Sequence, residues 1–151
     1  LPFCQKINRD WSFVNKAFVG EVYSYLNLAN NEIYKKNFLA SSIYNAVMPM
    51  WDNTPRRNNH GNVIFHGASP ALYKKWLSDI ILHYKKDCSL DDDFIFLNAL
   101  NAWNEWGEGA YPEPDRYYGY ALEATKDAIE EMRRKIEGGL MINKKDWNCN
   151  S

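Results

Sequence analysis

The run FIFLNAL (Phe94–Leu100) constrains the fold more than any other stretch. It is nearly continuous in apolar residues and far too short to cross a membrane. A strand with one wet face would alternate. An unbroken run belongs to a strand covered on both faces, the habit of parallel sheets. Ser41–Trp51 (SSIYNAVMPMW) repeats the signal. Its core IYNAVM is short, partly β-branched and stopped by Pro49, as expected of a buried strand.

Helices are expected after each strand. Ser69 suits an N-cap and Pro70 a first helical position. Leu72, Tyr73, Trp76, Leu77, Ile80, Ile81 and Tyr84 then recur at helical spacing. Lys85 and Lys86 suit the C-terminal end. A last helix is expected from Tyr118, with Ala121, Leu122, Thr125, Ala128, Ile129, Met132 and Ile136 on its apolar face. Gly138 and Gly139 end it.

Elsewhere the pattern is weaker. Residues 1–20 read as irregular, ending in a short strand near Phe18 and Val19. Tyr23–Lys36 is helical with Asn interruptions, Trp51–Asn62 is a polar loop with Pro55 and Gly61 as turn formers, and 138–151 is a frayed tail onto which Trp147 could dock back. The expected order is strand, long loop, helix, twice over: an α/β chain with right-handed parallel crossovers. With 151 residues it forms one domain with a real core. In such folds function gathers at the carboxyl ends of strands, where both polar loops fall.

Composition removes several function classes. A net charge of -1 gives no field for nucleic acid or acidic membranes. Cys4, Cys88 and Cys149 form no CxxC, so free thiols in a reducing compartment are the default, with a single Cys4–Cys88 or Cys88–Cys149 bridge left open. His60 and His66 flank GNVIF without a third ligand at sensible spacing, and His83 falls on a helix surface, so no metal is expected. No apolar stretch reaches the length of a membrane span, and no signal peptide is legible.

The chemistry concentrates in NAWNEWGEGAYPEPD (Asn101–Asp115). Glu105 and Glu108 follow a buried strand beside aromatic surface. Two carboxylates in such a place repel each other, so one can hold a proton while the other stays ionised. A glycosidic bond needs that division of labour. Trp103 and Trp106 offer flat faces for a sugar ring and N–H groups for its hydroxyls. Gly107 and Gly109 let the backbone turn both carboxylates into one cavity. Tyr111, Glu113 and Asp115 can bind further hydroxyls. Trp51 can stack on sugar or cap the core, whereas Trp11 and Trp76 are core candidates. Arg56 can hold a donor phosphate or equally be a solvated loop charge, and Arg57 reads as the latter.

The stretch NAWNEWGEGAYPEPDRYYGYALEAT closely resembles the signature of WbsX-type glycosyltransferases, and MPMWDNTPRR resembles a second element of that family. The family in turn is similar to glycoside hydrolase family 99, which carries a like NEW-x-EG-x-x-x-EP element. The resemblance covers roughly residues 40–137. It implies a (β/α)8 (TIM) barrel with its site at the strand ends. A full barrel takes about 250 residues, so the chain is expected to be the C-terminal portion of an incomplete barrel and of a longer protein.

The resemblance also implies roles. Glu108 matches the general acid/base, and Glu105 the carboxylate acting on the sugar 2-hydroxyl through an anhydro-sugar intermediate. Asn104 and Trp106 would orient Glu105 and line the sugar subsite, and Asp52 and Arg56 would bind substrate hydroxyls from the rim. The implied partner is an oligosaccharide or glycan, with a sugar-nucleotide or lipid-linked donor, in O-antigen, capsule or lipopolysaccharide assembly. No cofactor or metal is implied. A cytoplasmic location beside the polysaccharide assembly machinery is expected. Alternatives are a retaining endo-glycoside hydrolase and a non-catalytic glycan-binding fragment.

Overall fold

A computed structural model describes residues 6–7, 16–30, 46–57, 61–87, 102, 104–114 and 121–137. Two strands, β1 (Gly20–Ser24) and β2 (Asn62–His66), pair in parallel, with Gly20 opposite Asn62 and Ser24 opposite His66. Tyr23 and Phe65 face each other in that register, and their rings stack at 5.5 Å. Gly20 is required by close approach: a Cβ there would lie 2.7 Å from both Cβ and the carbonyl oxygen of Asn62.

Helix α1 (Tyr25–Ala29) leaves β1 directly, and the Ser24 side chain caps it by accepting from Asn27 N at 3.1 Å. A single-turn helix α2 spans Thr54–Arg57. Helix α3 (Pro70–Asp87) starts as its sequence requires: Leu72 N donates to Ser69 Oγ at 3.3 Å, with Pro70 first in the helix. Helix α4 spans Ala121–Glu137.

The core lies between these helices and the sheet. Tyr73, Trp76, Leu77 and Ile80 of α3 are buried in one cluster with Ala121, Ala124 and Ala128 of α4. Alanines on α4 leave room for the large α3 side chains. Inside the contact the Tyr73 and Thr125 hydroxyls lie 2.9 Å apart, and Thr125 also donates to the Ala121 carbonyl at 2.8 Å. At its edge Lys74 pairs with Glu131 at 3.1 Å. Tyr25 is fully buried, donates to the Met48 carbonyl at 2.7 Å and meets Trp76 edge-on.

Expectation and structure agree on a mixed α/β chain with a parallel pair and on the two long helices. They differ in which residues make the sheet. FIFLNAL lies outside the described residues, as do Tyr118 and the tail. Of the strand expected in 41–51, the described part holds a single bridge residue, buried Val47. The polar loop read as Trp51–Asn62 instead contains α2 and the first residue of β2. Strand β2 escaped notice because its apolar part, Val63-Ile64-Phe65, is three residues long between Gly61 and Gly67. Strand β1 begins just after the Phe18–Val19 position, and Tyr23 belongs to it rather than to the helix that follows. On α4, Leu122 is exposed, and Ala124 takes the buried place on that face.

Candidate active site

The acidic loop closes on itself. Glu105 and Ala110 form an antiparallel bridge, with Glu105 N donating to Ala110 O at 3.1 Å and Ala110 N returning to Glu105 O at 3.0 Å. Between them runs a 3-10 turn, Trp106–Glu108. Gly109 ends it in the left-handed conformation at φ 61, donating to the Trp106 carbonyl at 3.1 Å. Glu105 and Glu108 therefore stand at the two ends of one turn of backbone.

The second polar loop is tied to the first and to β2. Asp52 N donates to the Glu108 carbonyl at 2.9 Å, joining the loops directly. Gly109 packs so closely there that a Cβ would lie 3.0 Å from Asp52 N. Asp52 also bridges Ile64 of β2, and Phe65 N donates to the Trp51 carbonyl at 2.9 Å. Asn53, 3% exposed, accepts from Val63 N through its side chain at 2.7 Å and donates its own N–H to the Val63 carbonyl at 3.3 Å. Helix α2 grows from this anchor: Thr54 N donates to Asp52 Oδ1 at 2.9 Å, and Arg56 N to the Asn53 carbonyl at 3.1 Å.

These ties deliver the Arg56 guanidinium to the carboxylates. Its Nη1 lies 3.1 Å from Glu108 Oε1 and 3.6 Å from Glu105 Oε1. The two oxygens are thus no further apart than the sum of those distances, a ceiling of the same order as the ~5–9.5 Å between carboxylates in glycoside hydrolases. The Glu108 side chain is the more enclosed, 19% exposed against 45% for Glu105.

The same turn carries an aromatic platform. Trp106, 48% exposed, stacks on buried Tyr111, and its Nε1 donates to the Glu113 carboxylate. Stacking uses one face of the indole.

The structure therefore brings together Glu105, Glu108, Arg56, Trp106, Tyr111 and Glu113. Asp52 joins them through backbone, and its carboxylate serves the turn at Thr54 rather than standing free. Trp51 is partly buried against the core cluster, which favours its core reading. Asn104 is exposed and contributes its carbonyl to Trp106 N at 3.0 Å. Trp103, Asp115 and His60 lie outside the described residues, as does the His83 side chain; His66 ends β2 at the surface. Asn53 was missed: an Asn after Asp before Thr-Pro signals only a turn, and its buried double tie to Val63 needs β2 to be known. Among the described residues no three His, Cys, Asp or Glu side chains group as metal ligands, and no helix is long and apolar enough to cross a membrane.

Residues 3–125 match the family described as "Glycosyltransferase WbsX". The chain belongs to the WbsX glycosyltransferase family. The match takes in both loops of the site. Among curated proteins, this chain is 38% identical over 117 residues to "Uncharacterized protein WxcX" of Xanthomonas campestris pv. campestris strain B100 and to its namesake in strain ATCC 33913. Each alignment covers 77% of this chain and 16% of the relative, so the chain spans about a sixth of their length. No solved structure matches it.

Proposed function

We propose that this WbsX chain carries the carboxylate pair of an enzyme that makes or breaks glycosidic bonds in surface polysaccharide. The observation carrying the reading is the convergence of Glu105 and Glu108 on one guanidinium, in the turn that also carries the half-exposed Trp106. The guanidinium offsets the mutual repulsion of two carboxylates held close together. The indole offers an apolar face to a sugar ring.

In the first step Glu105 takes the proton of the sugar 2-hydroxyl as that oxygen attacks C1. The bond from C1 to the leaving oxygen breaks, and Glu108 supplies the proton it needs. In the second step Glu108 takes a proton from the incoming hydroxyl as it opens the anhydro ring at C1, and Glu105 returns its proton to the 2-oxygen. Arrival of water gives hydrolysis, and arrival of a sugar hydroxyl gives transfer. The surrounding scaffold is the C-terminal portion of a (β/α)8 barrel completed by the rest of a longer protein, and the donor is a nucleotide- or lipid-linked sugar.

The test is calorimetry and product analysis with a panel of oligosaccharides and sugar nucleotides, on this chain and on the full-length gene product. Glu105→Gln and Glu108→Gln should keep glycan binding and lose turnover. Full activity in either variant removes that residue from the mechanism. A second reading, glycan binding without turnover, is favoured by the exposed indole, which needs no carboxylate to bind sugar. It predicts that wild-type full-length protein binds a glycan and leaves it unchanged.

A further inference from the structure

We propose that Arg56 is the positioning residue of the carboxylate pair and not a substrate-binding residue of the rim. This rests on the assignment of Glu105 and Glu108 above. Three observations carry it.

The first is anchoring. A long exposed side chain usually samples many rotamers, so a single surface ion pair fixes little. Here both ends are pinned through backbone. Arg56 N is bonded to the Asn53 carbonyl, and Asn53 is buried and doubly tied to Val63 of β2. On the other side the Glu108 carbonyl accepts from Asp52 N at 2.9 Å. The two loops are held in register by backbone as well as by the side chains.

The second is geometry. One nitrogen, Nη1, donates to Glu108 at 3.1 Å and stands at ion-pair distance, 3.6 Å, from Glu105. Both distances run to the Oε1 atom of a glutamate, so each carboxylate keeps its other oxygen for a substrate. The pair is held by one corner of the guanidinium, with Nε and Nη2 outside the contact, so holding the glutamates does not by itself tie the arginine to a substrate.

The third is space. Gly107, between the two glutamates, lies under the contact. A Cβ there would stand 3.4 Å from Glu105 Oε1 and 3.7 Å from Arg56 Cδ. Both are ordinary packing distances, so the arginine stem lies against the turn and an alanine there would be accommodated.

A positioning role and a substrate-binding role separate in two measurements. In the full-length protein with nitrogen-15 arginine, a guanidinium held by two carboxylates rotates slowly, so the Arg56 Nη protons should resolve at low temperature, with Arg56→Lys giving the assignment. The signals should collapse to an average, like those of Arg57 beside it, in Glu105→Gln/Glu108→Gln. Averaged Arg56 signals in the wild type would overturn the proposal and leave the assignment of the carboxylates standing. The second measurement uses the same oligosaccharide panel. Arg56→Met should hold glycan affinity within about twofold while turnover falls at least tenfold, and Arg56→Lys should recover part of the loss. Weakened binding with kcat intact would return Arg56 to the substrate and end the proposal. Full turnover by Glu108→Gln would instead sink the catalytic reading and leave the ion pair as architecture.

Discussion

Trp106 lies on Tyr111 with ring centroids 3.7 Å apart and planes inclined by 13°. The buried tyrosine holds one face of the indole, and Glu113 holds its N–H. If the free face receives sugar, Trp106→Ala should weaken glycan binding by on the order of 2- to 10-fold, the worth of one stacked aromatic contact. Glu113→Gln should bind almost as wild type, because its amide oxygen still accepts from the indole. Glu113→Ala should behave like a mild Trp106 loss. Equal, large losses in Glu113→Gln and Glu113→Ala would mean that the carboxylate itself touches the sugar.

Gly109 supports both loops from a conformation that other residues resist. At φ 61, with Asp52 N 3.0 Å from the site of a Cβ, it combines a left-handed backbone with close approach. Gly109→Ala should cost about 1–3 kcal/mol in chemical denaturation. Gly61, also at positive φ but with open space around it, should suffer less from the same change. Equal costs at the two positions would show that packing against Asp52 contributes nothing.

The α3–α4 contact is built on small residues of α4. Ala128 is fully buried in the cluster with Tyr73, Trp76 and Leu77. Ala128→Leu should destabilise by about 1–3 kcal/mol through overpacking. Ala128→Gly should also destabilise, by about 1 kcal/mol, through helix propensity and a lost methyl. A neutral leucine would place α4 further from α3 than the structure has it.

Two buried phenols give the fold a signature in base. Burial pushes the Tyr73 hydroxyl up to about 12, partly opposed by its bond to Thr125, and burial together with the nearby Tyr73 raises Tyr25 as well. Both stay protonated in the folded chain where an unfolded tyrosine, near 10, has ionised. The folded state then binds more protons than the unfolded state, so stability falls as pH rises. It should be flat below about pH 10 and decline by on the order of 2 kcal/mol for each phenol toward pH 12. Tyr73→Phe should make that decline shallower in urea melts across the window. An unchanged slope would mean that Tyr73 is solvated.

Local signals were legible wherever a few neighbours in sequence settle the outcome. Ser69-Pro70 starts α3 because capping needs only the next turn of backbone. The buried positions Tyr73, Trp76, Leu77 and Ile80 follow from spacing alone, since one helix face meets one core. The composition of NAWNEWGEG nominated Glu105, Glu108 and Trp106 because paired carboxylates, indoles and glycines coincide in one loop.

What the chain could not state in one dimension was pairing. Strand β2 is too short to announce itself, and it exists because β1, 42 positions earlier in register, supplies its hydrogen bonds. Arg56 looked like a rim residue in WDNTPR. Its meeting with Glu105 and Glu108 depends on Asn53 being anchored to Val63 and Asp52 to Glu108, contacts that sequence spacing does not encode. Thus the sequence by itself determined where α3 begins and which of its side chains face the core, and it nominated the acidic-loop side chains on which the proposed chemistry rests. Only the tertiary structure decided which of them face one another, because backbone hydrogen bonds between distant segments fix loop register and side-chain pattern does not.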